Sequence, residues 1–183
     1  MQPVELLMAE HRLILKMIGQ MRGQSERMEL LQSVNAAFVD AALDFLRNYA
    51  DRCHHAKEES ILFHLAAKKP LPGPMRRVMD ELTEEHARLR AHVGELAAGR
   101  QDNRQGDPDA WRKVVAGLRG LIALCPAHFR KEEEQFFPAA METLSPPEQQ
   151  DLIERFHEAD RRLIHEHYAL LVCEWRPAGA PTK

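Results

Sequence analysis

Cysteine is scarce: Cys53, Cys125 and Cys173 are an odd number with no C-x-x-C spacing. That excludes a disulfide framework or a zinc ribbon and leads us to expect a reducing, cytoplasmic compartment. No run of about 18 apolar residues occurs, so no membrane span is expected. The first residues, Met1-Gln2-Pro3-Val4-Glu5, join no basic stretch to a long apolar one, so no secretory signal is expected. Charge of one sign is also lacking. A formal net charge of -3 argues for neither nucleic acid nor an anionic membrane as partner. What is present is 183 residues, enough for one domain with a real core, at 44% hydrophobic and 29% charged, the proportions of a soluble globular chain. Ten histidines stand out, and the question is which of them face inward.

Helical periodicity runs along most of the chain, and the expected fold class is all-α. A first helix is predicted over about Pro3 to Arg22, with Val4, Leu7, Ile14, Ile18 and Met21 on one stripe and His11 in a gap of that stripe. Gly23-Gln24-Ser25 is expected to end it. A second helix is predicted from about Ser33 to Ala67, where Leu43, Ala50, Ile61 and Leu65 share a face with His54 and Glu58. His55 and Glu59 fall with Asn48 and Arg52 on a more polar side. Lys68-Lys69-Pro70-Leu71-Pro72-Gly73-Pro74 is a turn no helix crosses. The third helix, about Met75 to Ala98, has Leu82 and Leu89 in phase with His86, and leaves His92 solvated. Gly99 to Asp109 reads as a polar loop. The fourth helix, about Pro108 to Phe137, brings Leu118, Leu121 and Cys125 in phase with His128 and Glu132, with Pro126 expected to kink or loosen it. Ser145-Pro146-Pro147-Glu148 is a capping box that opens a fifth helix reaching about Trp175. Its His157, His165 and His167 are read as solvated or packing residues.

The two halves of the chain repeat one another. Glu10-His11 and Gly19 recur as Glu85-His86 and Gly94, 75 positions on (86 minus 11). His54-x-x-Lys57-Glu58-Glu59 with Phe63 recurs as His128-x-x-Lys131-Glu132-Glu133 with Phe137, 74 positions on (128 minus 54). On a helix, residues i and i+4 share a face, so His54 with Glu58 and His128 with Glu132 each present an imidazole beside a carboxylate. In an up-down-up-down four-helix bundle all six inward residues, His11, His54, Glu58, His86, His128 and Glu132, reach a common depth. Glu10, Glu59, Glu85 and Glu133 are turned away from that centre by helical phase.

Four imidazoles and two carboxylates are too many for one tetrahedral zinc and the wrong mixture for calcium or magnesium. They suit a pair of iron ions, with manganese or zinc as substitutes. Each glutamate can bridge the metals, with two imidazoles terminal on each, leaving open positions for water, an oxo or hydroxo bridge, oxygen or nitric oxide. No residue is assigned a catalytic role. Tyr49, Cys53 and Cys125 are the nearest redox-capable side chains, and the two cysteines are read as buried structural thiols.

At these residues the chain resembles the hemerythrin-like, HHE cation-binding family. Glu10-His11, His54-x-x-Lys57-Glu58-Glu59-x-Ile61-Leu62-Phe63, Glu85-His86 and His128-x-x-Lys131-Glu132-Glu133-x-x-Phe136-Phe137-Pro138 carry the likeness, over about residues 3 to 142. The resemblance implies a four-helix bundle around two irons, with the six inward residues as ligands. Oxygen-carrying members typically have H-x-x-x-H on the third helix and H-x-x-x-x-D on the fourth, where this chain has His86-x-x-x-Arg90 and His128-x-x-x-Glu132. The set is similar to bacterial di-iron proteins of nitric-oxide stress and iron–sulfur repair, and to iron- or oxygen-sensing domains. The expected organisation is therefore a hemerythrin-like bundle over residues 1–143 and a C-terminal helix over 144–176, packed on the bundle or on a neighbouring subunit of a homodimer. A disordered tail, 177–183, follows. The expected partner is oxygen or nitric oxide. The expected function is binding or sensing of oxygen, nitric oxide or iron, with a stress-related enzyme of peroxide or nitric-oxide reduction or iron–sulfur repair, or an iron reservoir, as the alternative.

Overall fold

A computed structural model of the chain describes residues 2–160 together with Tyr168, Ala169 and Val172. Five helical rods make up its regular structure, and the described residues contain no strand. The first rod, α1, spans Pro3–Leu31, with Pro3 in the first turn and Gln2 and Glu5 capping each other. It runs nine residues past its expected end (31 minus 22). Gly23 does not break it because Gln24, Ser25 and Met28 continue the buried face, and packing outweighs the roughly 1 kcal/mol helix penalty of a glycine. The helix ends at Gln32, which takes a left-handed conformation with φ 48°.

The second rod, α2, covers residues 36–66. Asn35 caps it by accepting the Phe38 N–H at 3.2 Å. It begins as Ala36–Asp44, widens into π-helical turns over Phe45–His55 and Glu58–Phe63, and closes with His64–Ala66. The third rod, α3, is Gly73–Arg104. It continues into the first part of the stretch expected to be a polar loop, leaving only residues 105–109 between the helices, because its C-terminal half lies hard against the fourth rod. A Cβ at Gly99 would come 2.8 Å from the Val114 nitrogen, and one at Gly117 would come 2.8 Å from the Leu96 nitrogen. These glycines let two backbones approach more closely than any side chain allows.

The fourth rod, α4, covers residues 110–143, as Ala110–Lys131, a π-helical turn Glu132–Phe136, and Phe137–Thr143. Pro126 lies within the α-helical part, which continues through it. The widened turn comes later, just ahead of Pro138, whose missing N–H withdraws a donor from the preceding turn. The last rod, α5, is Pro146–Ala159, opened by the Ser145–Glu148 capping box. It stops well short of Trp175. Asp160 turns extended, with ψ 115°, and sends its carboxylate to the Lys57 ammonium instead of continuing the helix. Within the remainder of the expected helix, Tyr168, Ala169 and Val172 are again helical, while His165, His167, Cys173 and the tail 177–183 lie outside the described residues.

Two apolar clusters hold the rods together. Ile14, Ala50, Leu89 and Cys125 belong to one, and Leu7, Leu62, Leu82 and Phe136 to the other. Going along the chain, α1 and α3 pass from the second cluster to the first, while α2 and α4 pass back. This is the up-down-up-down order of an all-α bundle. α5 adds Leu152 and Phe156 to the second cluster. His11, His54, His86 and His128 all fall in the level between the two clusters. No helix among the described residues is long and apolar enough to cross a membrane.

Candidate metal centre

In that middle level the six inward residues meet, all 0% exposed. The local reason is periodicity: each lies in phase with apolar residues above and below it, so burying the stripe buries the polar group. They form two sets that share both carboxylates: His11 and His54 with Glu58 and Glu132, and His86 and His128 with the same two glutamates. Glu58 Oε1 lies 3.7 Å from His11 Nε2 and 3.5 Å from His54 Nε2, while its Oε2 lies 3.4 Å from His86 Nε2. Glu132 does the reverse. Its Oε2 is 3.2 Å from His11 Nε2, and its Oε1 is 3.7 Å from His86 Nε2 and 3.3 Å from His128 Nε2. Each carboxylate thus turns one oxygen to each pair of imidazoles.

The rings are oriented as pairs. His11 and His54 lie 4.7 Å apart with planes at 79°, and His86 and His128 lie 4.7 Å apart with planes at 67°. His86 Nε2 and His128 Nε2 are 3.0 Å apart. Both oxygens of Glu58, both of Glu132, His11 Nε2 and His54 Nε2 are buried without a hydrogen-bond partner. Such a set of orphaned donor atoms in an apolar bundle is strongly unfavourable unless cations fill it. Two metal ions between the imidazole pairs would satisfy all of these atoms, so the residues fit the group.

Protons and metals are the two ways to neutralise this centre. Burial works to lower the His11 pKa, but the nearby carboxylates of Glu132 and Glu58 outweigh it and push it up to about 10. His86 is likewise opposed by burial and carried up to about 11 by Glu132, Glu58 and Glu59. His128 is raised against its burial by the charge of Glu132. For Glu58 and Glu132, burial and, for Glu58, its partner's charge favour the protonated form, yet the surrounding imidazoles hold both well below the usual carboxylate range.

Four further glutamates face the outer sides of the rings. His11 Nδ1 meets Glu133 Oε1 at 2.7 Å, His54 Nδ1 meets Glu10 Oε2 at 2.9 Å, His86 Nδ1 meets Glu59 Oε1 at 2.7 Å, and His128 Nδ1 meets Glu85 Oε2 at 2.9 Å. Helical phase does turn these glutamates from the centre, but each orients an imidazole of another helix, a role the sequence reading did not assign them. Their signal was there in the doubled Glu of both K-E-E runs and the Glu before His in both E-H pairs. Cations hold them in turn. Lys57 donates to Glu10, Lys131 Nζ reaches Glu85 Oε1 at 2.6 Å, and Arg90 Nη2 reaches Glu59 Oε1 at 2.9 Å. Lys57 is itself 1% exposed and also bonds Asp160, so its charge sits between two carboxylates.

His55 departs from its expected polar face. It is buried, stacked on His86 with ring centroids 4.1 Å apart, and burial pushes its pKa down to about 3. The widened winding of α2 over Phe45–His55 accompanies that inward turn. His157 is exposed and His92 half-exposed, paired with Glu95 at 3.0 Å. Cys53 and Cys125 are buried free thiols, each pushed up to about 12 by burial, so neither is a thiolate near neutral pH. Tyr49 is buried against Phe45, ring centroids 5.1 Å apart, and burial raises its pKa.

The family description that matches the chain is the hemerythrin HHE cation binding domain, over residues 2–140 and again over 77–172. No curated protein and no solved structure matches it.

Proposed function

The chain belongs to the hemerythrin HHE cation-binding family, and from that premise we propose that it is a non-haem di-iron protein that binds or senses a small diatomic molecule. One observation carries the reading: Glu58 and Glu132 each divide their two oxygens between the two imidazole pairs. In this reading His11 and His54 would hold one iron and His86 and His128 the other, with Glu58 and Glu132 each offering one oxygen to either. Iron held there would supply redox chemistry and positions to which a diatomic ligand could bind. Imidazole with carboxylate is the donor mixture that favours iron over calcium or magnesium, and manganese or zinc would also be accepted.

The remaining residues prepare the centre. Glu10, Glu59, Glu85 and Glu133 accept from the Nδ1–H groups, fix the ring tautomers and keep each Nε2 lone pair turned inward. Leu7, Leu62, Leu82 and Phe136 close one side of the polar level against water. Two imidazoles and two carboxylate oxygens would not fill the shell of an iron ion, which would leave a position for oxygen or nitric oxide.

The test is to load the protein anaerobically with ferrous iron and follow the visible spectrum as oxygen, nitric oxide or peroxide is added. A stable or reversible adduct with oxygen or nitric oxide is expected. Turnover of peroxide or nitric oxide would assign an enzyme of oxidative or nitrosative stress instead. Uptake of iron with no response to any of the three would assign a reservoir.

A further inference from the structure

The internal repeat that relates the two halves of the centre fails at one place in its wall. His11 is stacked between Phe129 and Phe137, with centroids 4.0 and 5.8 Å away and planes tilted by 15° and 16°. At the offset of 74, those phenylalanines correspond to His55 and Phe63 (129 minus 55, and 137 minus 63). His86, the counterpart of His11, is stacked between these two, with centroids 4.1 and 5.9 Å away and planes tilted by 22° and 4°. The sandwich is conserved between the halves in shape, but one of its four walls is an imidazole where its counterpart is a phenyl ring.

An imidazole enclosed here is less favourable than a phenyl ring unless its nitrogens are used. His55 is 5% exposed, and its Nδ1 is buried with no hydrogen-bond partner, the nearest carboxylate oxygen being Asp51 Oδ1 at 3.6 Å. A ring nitrogen of His55 lies within 4.8 Å of nitrogens of both His86 and His128. The ring is not set as a third ligand of that pair. It is stacked face to face on His86, centroids 4.1 Å apart and planes 22° apart, so the in-plane lone pairs of the two rings lie in nearly parallel planes and do not meet at one ion, whereas the planes of His86 and His128 cross at 67°. His55 therefore flanks a metal position.

It also lines a cavity of about 320 Å³, walled by Ile14, Leu89, Leu121 and Phe129 and edged by Asp51 and Arg90. The cavity lies on the side of the centre opposite Phe63, Phe136 and Phe137, which belong to the other apolar cluster. An incoming small molecule thus meets a polar ring on the His86–His128 half and a phenyl ring on the His11 half.

We propose that His55 is a positioning residue for the small exogenous ligand: reached through this cavity, the ligand settles on the His86–His128 half, where the His55 ring N–H donates a hydrogen bond to it. This rests on the di-metal reading above. It makes the two otherwise repeated metal positions inequivalent towards ligands.

The test compares wild-type protein with His55→Phe and His55→Gln, each loaded with cobalt(II), counted for metal, and titrated with azide through the visible bands of cobalt. His55→Phe installs the ring the repeat already uses at Phe129, so the fold is expected to survive. All three proteins should hold two cobalt ions. Azide affinity should fall roughly 10- to 100-fold in His55→Phe, the worth of one hydrogen bond to a charged partner, and recover in His55→Gln. Equal azide affinity in wild type and His55→Phe would overturn the proposal. So would a loss that His55→Gln does not repair, a loaded wild type that binds no azide, or the loss of one cobalt in His55→Phe, which would make His55 a ligand. Failure of the wild type to take up metal would instead bring down the di-metal reading beneath it.

Discussion

His54 Nδ1 lies 2.9 Å from Glu10 Oε2, a contact between α2 and α1 that joins residues 44 positions apart. Glu10 belongs to no imidazole of its own helix; it orients one on the neighbouring rod, and the same holds for Glu59, Glu85 and Glu133. The packing of the bundle and the aim of its imidazoles are therefore one property. Replacing Glu10 or Glu85 by Gln removes the charge that steadies a ring without removing any inward donor. Metal affinity is expected to drop roughly 10- to 100-fold with the stoichiometry unchanged, as read by competition with a chelator of known affinity.

Metal uptake should release protons. His11 and His86 have pKa values raised to about 10 and about 11, so in the metal-free protein they are protonated at pH 7, and an entering ion must displace those protons. Affinity then falls as pH falls. Calorimetric titrations at one pH in buffers of different ionisation enthalpy should show heats that depend on the buffer; identical heats would contradict the assignment. The same shifts bear on the stability of the metal-free fold. Being raised, they contribute fully below the unfolded value of 6.5 and the contribution is lost as pH rises through about 10 to 11. The melting temperature of the metal-free protein should accordingly decline over that alkaline window.

The six inward residues were legible in the sequence because the information is local. An i,i+4 pair in phase with an apolar stripe, repeated at one offset, needs no knowledge of the neighbouring helices. The outer glutamates were not, since which ring each one faces depends on how two rods are rotated against each other. His55 was misplaced for a related reason, since an ideal 3.6-residue period does not track the widened turns of Phe45–His55. The stop of α5 at Ala159 depends on the bond from Lys57 to Asp160, a partner 103 positions away. Gly23 and Gly99 looked like ends and proved to be interior positions, one kept helical by the buried face that follows it and the other by the close approach of α4.

That close approach is itself testable. Gly117→Ala would place a methyl 2.8 Å from the Leu96 nitrogen, and backbone cannot yield as a flexible side chain does. Destabilisation of about 1–3 kcal/mol is expected from such overpacking, measured by urea denaturation. Gly19→Ala has nothing within 4 Å of the added methyl and serves as the control, with little or no loss.

Lys57 is the most exposed to loss of its partners in energetic terms, being a fully enclosed ammonium between Glu10 and Asp160. Lys57→Met takes the ammonium away from Glu10 and Asp160, leaving their charges without that cation between them, and removing one side of a buried ionic group typically destabilises by about 3–5 kcal/mol. Lys57→Met combined with Asp160→Asn should recover part of that loss. A double variant no more stable than the single one would show that Asp160 is not held by this contact.

The central claim is that Glu58 and Glu132 jointly hold a pair of metal ions. Its most direct measurement is the number of metal ions bound per chain after anaerobic loading and desalting, in wild type, Glu58→Ala and Glu132→Ala, with circular dichroism to verify helix content. The account predicts two ions in the wild type and loss of most of the bound metal in either variant. Two ions retained in both variants, or a wild type that saturates at one, would contradict it.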